Sequence, residues 1–454
     1  MATTDTIILH LSDIHFHRPG PSGEHLDLDT DLRNELETDA AAMKAKLGPV
    51  AAILVNGDIA FSGHPDEYGR AKKWLDGLCV KLDCPSERVF TTPGNHDINR
   101  TAIRTSKWLR LCHDEIRRRT VDELDTVLAD YLEDSAARRD MFLPIAAYND
   151  FAAPYECALD AEKPYWEYPL ILNDGSTLQL RGVNSTLVSD EDDDDTAHKL
   201  VLGSFQTNIL RQDGVEYLVL CHHPPQWLRD EDEVNEALNA RARIQLYGHK
   251  HKQLISNINQ RVLRVAAGAV QPDRREPNWQ PRYNYLKVRV DGAPTDRRLA
   301  VDLYPRVWNK EARRFSADYD VDGSDKKSVT FPLPSWQAPH QPDVFSHEAT
   351  LSETTTERNG GKETDVALPQ REEVPVDPDR RLTYRFLSLP YQRRLAVAEQ
   401  LGLVQEGDQY LTDMNRYRAF FVRAREGKRL ADLWAVVEQS SADGRIDPNP
   451  FVGR

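Results

Sequence analysis

Five short clusters of residues that can bind metal ions occur along the chain. They carry carboxylate, amide and imidazole side chains: Asp13-Ile14-His15, Gly57-Asp58, Gly94-Asn95-His96-Asp97, His222 and Gly248-His249-Lys250-His251. This mixture of donors, without a thiolate, suits Mn, Fe, Zn, Ni or Co better than calcium. A packed histidine or a solvated aspartate would explain any one cluster by itself. Five clusters in this order indicate a two-metal hydrolytic centre.

Short apolar runs before most of these clusters predict how the side chains are positioned. Each run has the length and composition of a buried strand: residues 7–11, 52–55, 217–220 and 244–247. A metal-binding cluster follows each run within a few residues. Because open α/β folds place their sites where neighbouring strands end, we expect these clusters to converge at one edge of a sheet.

The remaining apolar pattern favours a mixed α/β fold. Within residues 68–78, apolar side chains recur at helical spacing. Three later runs follow one another without long helices between them, which predicts antiparallel pairing: residues 262–266, 284–290 and 299–304. Between the third and fourth clusters, a helical stretch (about residues 101–165) is interpreted as an insert that either caps the site or packs beside it.

In these five clusters the chain resembles the calcineurin-like metallophosphoesterase superfamily, whose motifs are D-x-H, G-D, G-N-H-D or G-N-H-E, a single H, and G-H-x-H. The resemblance covers roughly the first 310 residues. It implies a four-layer αββα sandwich, in which two mixed sheets pack face to face with helices outside. Residues 57–63, followed by Glu67-Tyr68, resemble the class III cyclic-nucleotide phosphodiesterase branch.

The resemblance implies two metal sites that share one carboxylate. Seven side chains would be the ligands: Asp13, His15, Asp58 and His251 for one ion, and Asp58, Asn95, His222 and His249 for the other. The ions would be divalent or trivalent transition metals such as Mn, Fe or Zn, about 3.5–4 Å apart. A hydroxide that bridges them would attack the phosphorus atom in line, so that no protein nucleophile is required.

His96 and Asp97 are the catalytic residues that the resemblance implies. In the family, the histidine at this position contacts the substrate phosphate or protonates the leaving oxygen, and Asp97 would orient it through the other ring nitrogen. A structural histidine in the tight turn at Gly94 is the alternative. At the paired His222 and His223, the family pattern H-x-P favours His222 as the ligand. We expect His223 to face the other side of the strand end.

The predicted function is metal-dependent hydrolysis of a phosphodiester, with a small nucleotide-type substrate. A metal-dependent nuclease that acts on DNA or RNA is one alternative. It is not favoured, because 58 Lys+Arg against 73 Asp+Glu give a net charge of -15. A second alternative is a metal-binding sensor whose output is the C-terminal region. The complete ligand set argues against a sensor, because a site that no longer performs catalysis usually loses a ligand.

Composition and cysteine usage predict a cytoplasmic enzyme without a membrane partner. The longest apolar runs are shorter than the ~20 residues that a membrane-spanning helix needs, and residues 1–5 show no basic or apolar leader pattern. The five cysteines lack metal-ligand spacing. Buried free thiols in a reducing compartment are therefore predicted.

The composition predicts three units along the chain. A phosphoesterase domain (1–337) precedes a flexible linker (338–379) that is rich in Pro, Thr, Glu and Ser. In the remaining residues, 380–454, apolar side chains return at helical spacing and predict a small all-α bundle. Its three clearest helices are expected around Pro390–Gly402, 411–427 and 430–437.

The C-terminal bundle carries no catalytic cluster. It resembles the small effector-associated or death-like helical adaptor domains of bacterial signalling and conflict-system proteins. This resemblance implies recruitment of a protein partner or self-association, whereas an appendage that packs on the catalytic domain is the alternative. Trp434, Phe420 and Tyr391 are expected to exceed what so small a bundle can bury.

Overall fold

The computed structural model describes residues 5–18, 29–190, 198–275, 279–338, 377–440 and 447–452. The strands of these residues are β1 (Thr6–Leu11), β2 (Val50–Asn56), β3 (Val89–Thr92), β4 (Tyr165–Ile171), β5 (Thr177–Val183), β6 (Val215–Cys221), β7 (Ala242–Tyr247), β8 (Leu254–Ile258), β9 (Val262–Ala266), β10 (Arg282–Asp291), β11 (Arg298–Asn309), β12 (Arg314–Ala317) and β13 (Lys327–Pro332). The α-helices are α1 (Thr30–Leu47), α2 (Pro65–Leu82), α3 (Arg100–Thr105), α4 (Lys107–Arg118), α5 (Val121–Glu133), α6 (Ala137–Met141), α7 (Ala146–Ala152), α8 (Ser204–Thr207), α9 (Glu231–Arg241), α10 (Pro378–Ser388), α11 (Tyr391–Gln400), α12 (Asp413–Glu426) and α13 (Leu430–Ser440). The predicted linker lies outside the described residues except at its two ends.

The first sheet contains the strands that precede three of the five clusters. Its order is β12-β11-β10-β1-β2-β3, and β13 also pairs with β11. Strands β1, β2 and β3 are parallel, with Leu9 opposite Ile53 and Leu54 opposite Phe90. Their side chains are almost all buried, which explains why these strands are continuous apolar runs in the sequence. Strands β10 and β11 are antiparallel, as predicted.

The second sheet carries the remaining two clusters. Its order is β4-β5-β6-β7-β9-β8, and β5, β6, β7 and β9 are parallel to one another. The expectation that the run 262–266 pairs with the two runs after it is therefore wrong, because β9 lies in the second sheet and β10 and β11 lie in the first. The short strand β8 lies between β7 and β9 in sequence and reverses the chain direction, so that β9 is antiparallel to β8 and returns parallel to β7.

The two sheets pack against each other through one hydrophobic core that includes side chains of both. Phe90 of the first sheet stacks on Trp166 of the second, with 5.6 Å between ring centroids. Gly182 permits this packing, because a Cβ atom there would lie 2.1 Å from the Trp166 ring. The predicted α/β architecture of two mixed sheets with helices, followed by a C-terminal helical region, is confirmed.

The C-terminal helices have a hydrophobic core of their own. Helices α10 to α13 supply most of it. The other members lie in the connecting segments, near the C-terminus and in the preceding region: Leu389, Leu401, Leu403, Phe451, Ala153 and Ala158. Trp434 and Phe420 are each only 1% exposed, whereas Tyr391 remains 45% exposed. The bundle therefore buries two of these three aromatic residues and leaves Tyr391 exposed. Three or four helices were predicted, and α10, whose position the sequence pattern did not indicate, is the fourth.

Arg380 connects the C-terminal bundle to the rest of the molecule. The side chain is 3% exposed and donates hydrogen bonds to the backbone carbonyls of Glu87 and Tyr155. It also pairs with the Glu156 carboxylate at 2.9 Å, and its guanidinium lies 4.6 Å from the centroid of the Phe90 ring. The structure thus shows the packed arrangement that was the alternative to a bundle held only by its linker.

Replacing Arg380 with alanine is expected to destabilise the chain by about 2–4 kcal/mol, because the change leaves buried carbonyl groups without a donor. Arg425→Ala is the matched control. Arg425 pairs with Asp379 on the surface at 2.7 Å, where such pairs contribute about 0–1 kcal/mol. Urea denaturation of both variants measures the difference, and equal losses would show that the Arg380 contacts contribute no more than a surface ion pair.

The cysteines match the expectation for free thiols. All five are buried and unpaired: Cys79, Cys84, Cys112, Cys157 and Cys221. Burial raises the pKa of Cys79 and of Cys221 to about 12, so both thiols stay protonated at neutral pH. Among the helices that the structure describes, none combines the length and the apolar character needed to cross a membrane.

Candidate metal centre

The five clusters meet where strands of the two sheets end. Each follows the carboxyl end of a strand: Asp13 and His15 after β1, Asp58 after β2, Asn95 and His96 after β3, His222 after β6, and His249 and His251 after β7. Backbone hydrogen bonds join the loops, because the amides of Ile14 and His15 both donate to the Asp58 carbonyl at 2.9 Å. The Gly248 amide donates to the His222 carbonyl, also at 2.9 Å.

Left-handed backbone conformation marks these loops. Five of the seven candidate ligands have φ between 51° and 69°: Asp13, His15, Asp58, His249 and His251. Residues with a side chain adopt this conformation rarely, and strain of this kind costs on the order of 1–3 kcal/mol per residue. It persists only where the surrounding structure holds it, and here it turns each loop so that the side chains share one centre.

Two glycines allow the loops to approach closely. A Cβ atom at Gly57 would lie 2.3 Å from Nδ1 of His222, and one at Gly94 would lie 2.2 Å from Oδ1 of Asp58. Both distances are shorter than any van der Waals contact. Positions 57 and 94 therefore have to be glycine, because any larger residue would overlap the side chain of His222 or Asp58.

The first ligand group consists of Asp13, His15, His251 and Asp58. Nε2 of His251 lies 3.4 Å from Oδ1 of Asp13 and 3.3 Å from Nε2 of His15. His15 also lies 4.0 Å from Oδ2 of Asp58. The hydroxyl of Ser12 donates to the Asp13 carboxylate and holds it in place.

The second ligand group consists of Asp58, Asn95, His222 and His249. Nε2 of His222 lies 3.3 Å from Oδ2 of Asp58 and 3.2 Å from Oδ1 of Asn95. Nδ1 of His249 lies 3.0 Å from the same Asn95 oxygen. Because Oδ2 of Asp58 faces both His15 and His222, this one carboxylate belongs to both groups.

The donor spacing fits two transition-metal ions. Ligands bonded to one ion at about 2.0–2.1 Å with tetrahedral angles lie about 3.3 Å apart. Five of the six donor separations given above lie between 3.0 and 3.4 Å, and the sixth is 4.0 Å. Burial lowers the pKa of His15 to about 3 and that of His249 to about 4. Both imidazoles are therefore neutral at neutral pH and have a lone pair for a metal.

Asp58 and His222 interact strongly as a buried pair. Burial alone raises the pKa of Asp58, but the charge of His222 outweighs it and holds the pKa well below its usual value. Conversely, burial lowers the pKa of His222, whereas the Asp58 charge raises it to about 9. A metal ion that binds here therefore has to displace a proton from His222, so that metal affinity should fall as the pH is lowered.

His223 was expected to face away from the centre, and this expectation is wrong. Its Nε2 lies 3.2 Å from Oδ1 of Asn95, as close as that of His222, and the nitrogens of His222, His223 and His249 lie within 4.8 Å of one another. Strand β6 ends at Cys221. The alternation of a strand therefore no longer applies to the two histidines that follow it.

The two histidines nevertheless have different neighbours. Nδ1 of His222 donates to the Asn56 carbonyl at 2.9 Å, which leaves Nε2 free to face both Asp58 and Asn95. His223 bonds to the Ser185 hydroxyl through Nδ1 at 2.8 Å. His222 therefore contacts the shared Asp58 carboxylate, whereas His223 approaches the centre through Asn95 and through the rings of His222 and His249.

The predicted hydrogen bond between Asp97 and His96 is also wrong. Nδ1 of His96 bonds to the Phe61 carbonyl at 2.8 Å. The Asp97 carboxylate accepts from the amides of Ala60 and Gly94 at 2.9 Å each and from the Tyr68 hydroxyl at 2.9 Å. Asp97 thus joins the loops of the second and third clusters, because its buried carboxylate accepts hydrogen bonds from amides of both. Burial and the nearby Asp58 charge raise its pKa to about 6.

Aromatic residues that sequence reasoning missed flank the centre on two sides. Phe61 lies beside His96, with 5.3 Å between ring centroids. Trp227 lies beside His249 at 5.0 Å, and the ammonium group of Lys250 lies 4.4 Å from the Trp227 ring centroid. The sequence places both residues close to the clusters, because Phe61 follows Asp58 by three residues and Trp227 follows Pro225 by two. This proximity was the signal that could have identified them.

Alanine substitutions at the paired histidines should have unequal effects on metal binding. His222→Ala removes a donor next to the shared Asp58 carboxylate, and we expect a loss of metal affinity of more than about 100-fold. His223→Ala is expected to cost about 10-fold or less. Titration of each metal-free variant with Mn²⁺, followed by metal analysis, measures both. A larger loss for His223→Ala would reverse the assignment.

Comparison with known proteins identifies the two parts of the chain. A family model described as calcineurin-like phosphoesterase matches residues 6–253, and one described as GTPase-associated adaptor domain matches residues 378–439. A probable cyclic nucleotide phosphodiesterase of Rhodococcus erythropolis is 30% identical over 90 residues, which are 20% of this chain and 28% of that protein. A metallophosphoesterase-like protein of Bacillus subtilis, YydB, is 24% identical over 324 residues, 68% of this chain and 60% of the relative.

The chain thus spans less than two thirds of the length of these curated relatives. Among solved structures, a dimetal phosphatase from Danio rerio is 13% identical with a TM-score of 0.38, and the alignment covers 72% of this chain and 99% of that one. The C-terminal helices form a GTPase-associated adaptor domain. Because the first family model covers more than half of the 454 residues, the chain belongs to the calcineurin-like phosphoesterase family.

Proposed function

We propose that the chain is a phosphodiesterase that hydrolyses a small nucleotide-type substrate at the candidate metal centre. The position of Asp58, whose Oδ2 faces histidines of both ligand groups, is the observation that carries this proposal. Two cations held by these groups would supply Lewis-acid activation of water and of the phosphoryl group. The name of the Rhodococcus relative supports the same class of substrate.

The residues of the chain then have separate tasks. Asp13, His15 and His251 would hold one ion, Asn95, His222 and His249 would hold the other, and the Asp58 carboxylate would contribute to both groups. The ions would supply positive charge beside the phosphate of the substrate. The buried position of most of these side chains also excludes water from the far side of the centre, which strengthens the interactions of charged groups within it.

His96 is positioned to protonate the leaving oxygen. A carbonyl oxygen can only accept, so Nδ1 of His96 carries the hydrogen in its bond to Phe61. This leaves Nε2 to face the substrate, on a ring that is 4.8 Å from that of His15. Donation requires the imidazolium form of His96, which carries a second hydrogen on Nε2. When a water oxygen bonds to phosphorus and the P–O bond to the leaving group breaks, the electron pair of that bond stays on the leaving oxygen, which takes the Nε2 proton. His96 is then left neutral, with its hydrogen on Nδ1.

The protein loaded with Mn²⁺ tests the proposal in one set of assays. Bis-p-nitrophenyl phosphate, cyclic mononucleotides and single-stranded DNA are compared in parallel, each with and without a chelator. We expect chelator-sensitive hydrolysis of the first two and little of DNA, because the chain has a net charge of -15. Preferential cleavage of DNA would identify a nuclease, and no hydrolysis of any diester would reject the proposed function.

The C-terminal domain is proposed to recruit a protein partner without shaping the catalytic centre. Glu87, which Arg380 contacts, lies just before the amino end of β3, and the candidate site lies beyond its carboxyl end. A chain that ends near Gln337 is therefore expected to hydrolyse small diesters within about twofold of the full-length rate and to lose the association. Steady-state kinetics and co-purification measure the two effects. Loss of activity or aggregation would show that the bundle is an integral packing element.

A further inference from the structure

Phe61 is an exposed aromatic residue at the edge of the candidate metal centre. Its side chain is 45% exposed, although the backbone that carries it is fixed. The Phe61 amide donates to the Phe16 carbonyl at 3.0 Å, and the neighbouring Ala60 forms a β-bridge with Phe16. The chain thus holds a large apolar ring in solvent at a defined position, where burial of the ring by a ligand would be favourable.

The surroundings of this ring are those of an acid catalyst. The ring of His96 lies 5.3 Å from it at 38°, and the ring of His17 lies 4.2 Å away at 36°. The carbonyl of Phe61 itself orients His96. The part of the substrate that is attached to the leaving oxygen, the oxygen that His96 protonates, would therefore lie beside the Phe61 ring.

On the basis of the proposed function, we propose that Phe61 stacks on the nucleobase of the leaving nucleoside. A planar base offers a π-face to an aromatic side chain regardless of its identity, which makes stacking tolerant of sequence. Trp227 is less suited to this task, because it is partly buried against the hydrophobic core of the second sheet, whereas Phe61 is 45% exposed. Phe61 is thus a specificity-determining residue that distinguishes a nucleoside ester from a simple alkyl or glycerol ester.

A pair of ligands that differ only in the base tests this role by binding rather than by turnover. Titration calorimetry with the full-length Mn²⁺-loaded protein compares AMP with ribose 5-phosphate, which presents the same sugar and phosphate. For the wild type we expect AMP to bind about 5- to 150-fold more tightly. Phe61→Ala should abolish this preference and leave the affinity for ribose 5-phosphate unchanged, because the backbone carbonyl that orients His96 remains.

Two further variants are the controls. Phe61→Tyr retains an aromatic face and should retain the preference for AMP. Tyr319→Ala removes an aromatic side chain that is 66% exposed away from the centre and should bind both ligands as the wild type does. Equal affinities of the wild type for the two ligands, or an AMP preference that survives in Phe61→Ala, would overturn the inference.

This result is separable from the proposed function. A protein that hydrolyses diesters but binds AMP and ribose 5-phosphate equally retains its activity assignment and loses the role of Phe61. A protein that hydrolyses no diester, yet binds AMP through Phe61, retains the base-stacking site and loses the proposed reaction.

Discussion

Asp58→Asn should abolish diester hydrolysis and lower the bound metal from two equivalents to one or none. The Asp58 carboxylate faces His15 at 4.0 Å and His222 at 3.3 Å, so the change weakens both ligand groups. In the wild type the His96 amide donates a hydrogen bond to Oδ1 of Asp58 at 2.8 Å. An asparagine oxygen at this position can still accept that bond. The fold should therefore persist, while metal affinity falls by more than about 100-fold because a negative charge is lost between two cations.

Metal analysis after dialysis, together with hydrolysis of bis-p-nitrophenyl phosphate, measures this effect. Asp296→Asn is the matched control, because the side chain of Asp296 is 75% exposed and pairs only loosely with Arg298 at 3.6 Å. It should match the wild type in both assays. Two bound equivalents and near-normal activity in Asp58→Asn would show that this carboxylate does not bridge the ions.

His96→Ala should retain both metal ions and lose about 10²–10⁴-fold in rate. His96 lies beside the ligand groups, and its Nδ1 is occupied by the Phe61 carbonyl. The loss should be larger for an alkoxide leaving group, which needs a proton, than for nitrophenolate, which leaves without one. Rates for the two kinds of diester, with metal content measured on the same samples, separate catalysis from metal binding.

His198→Ala is the control for the removal of an imidazole. The side chain of His198 is 47% exposed and lies 3.9 Å from a carboxylate oxygen of Glu231, so its loss should leave the rate unchanged. If His96→Ala slows both leaving groups equally, His96 positions the phosphate instead of donating a proton. If the metal content also falls, His96 is a ligand, since one of its ring nitrogens lies within 4.8 Å of donor atoms of His15 and Asp58.

The loops that carry the candidate ligands have a strained backbone, which the rest of the structure has to support. Left-handed conformation at Asp13, Asp58 and His249 has a free-energy cost that the joined backbone and the buried strands beneath must offset. Asp97 contributes to this support by accepting hydrogen bonds from three loop amides, those of Ile59, Ala60 and Gly94. We therefore expect Asp97 to act as a positioning residue that supports the loops and does not orient His96.

The ligand types and their places at strand ends were determined by the sequence itself. Apolar runs such as Ile7–Leu11 are buried on both faces, so that the polar residue after each run has to lie at the sheet edge. Three of the four described helices of the bundle, α11 to α13, were also predicted, because Pro390, Gly402 and Gly427 delimit their apolar stripes. Both kinds of inference depend only on local periodicity and on residues that end an element.

Contacts between segments distant in sequence were decided only by the tertiary structure. His223 faces Asn95 because β6 ends at Cys221, directly before the histidine pair. The alternation of side chains along a strand does not by itself show where the strand ends. Asp97 bonds to loop amides, and Arg380 reaches carbonyls almost 300 positions earlier in the chain. Such partners are selected by packing, because a buried carboxylate or guanidinium bonds to whichever unpaired backbone groups the folded loops bring within reach.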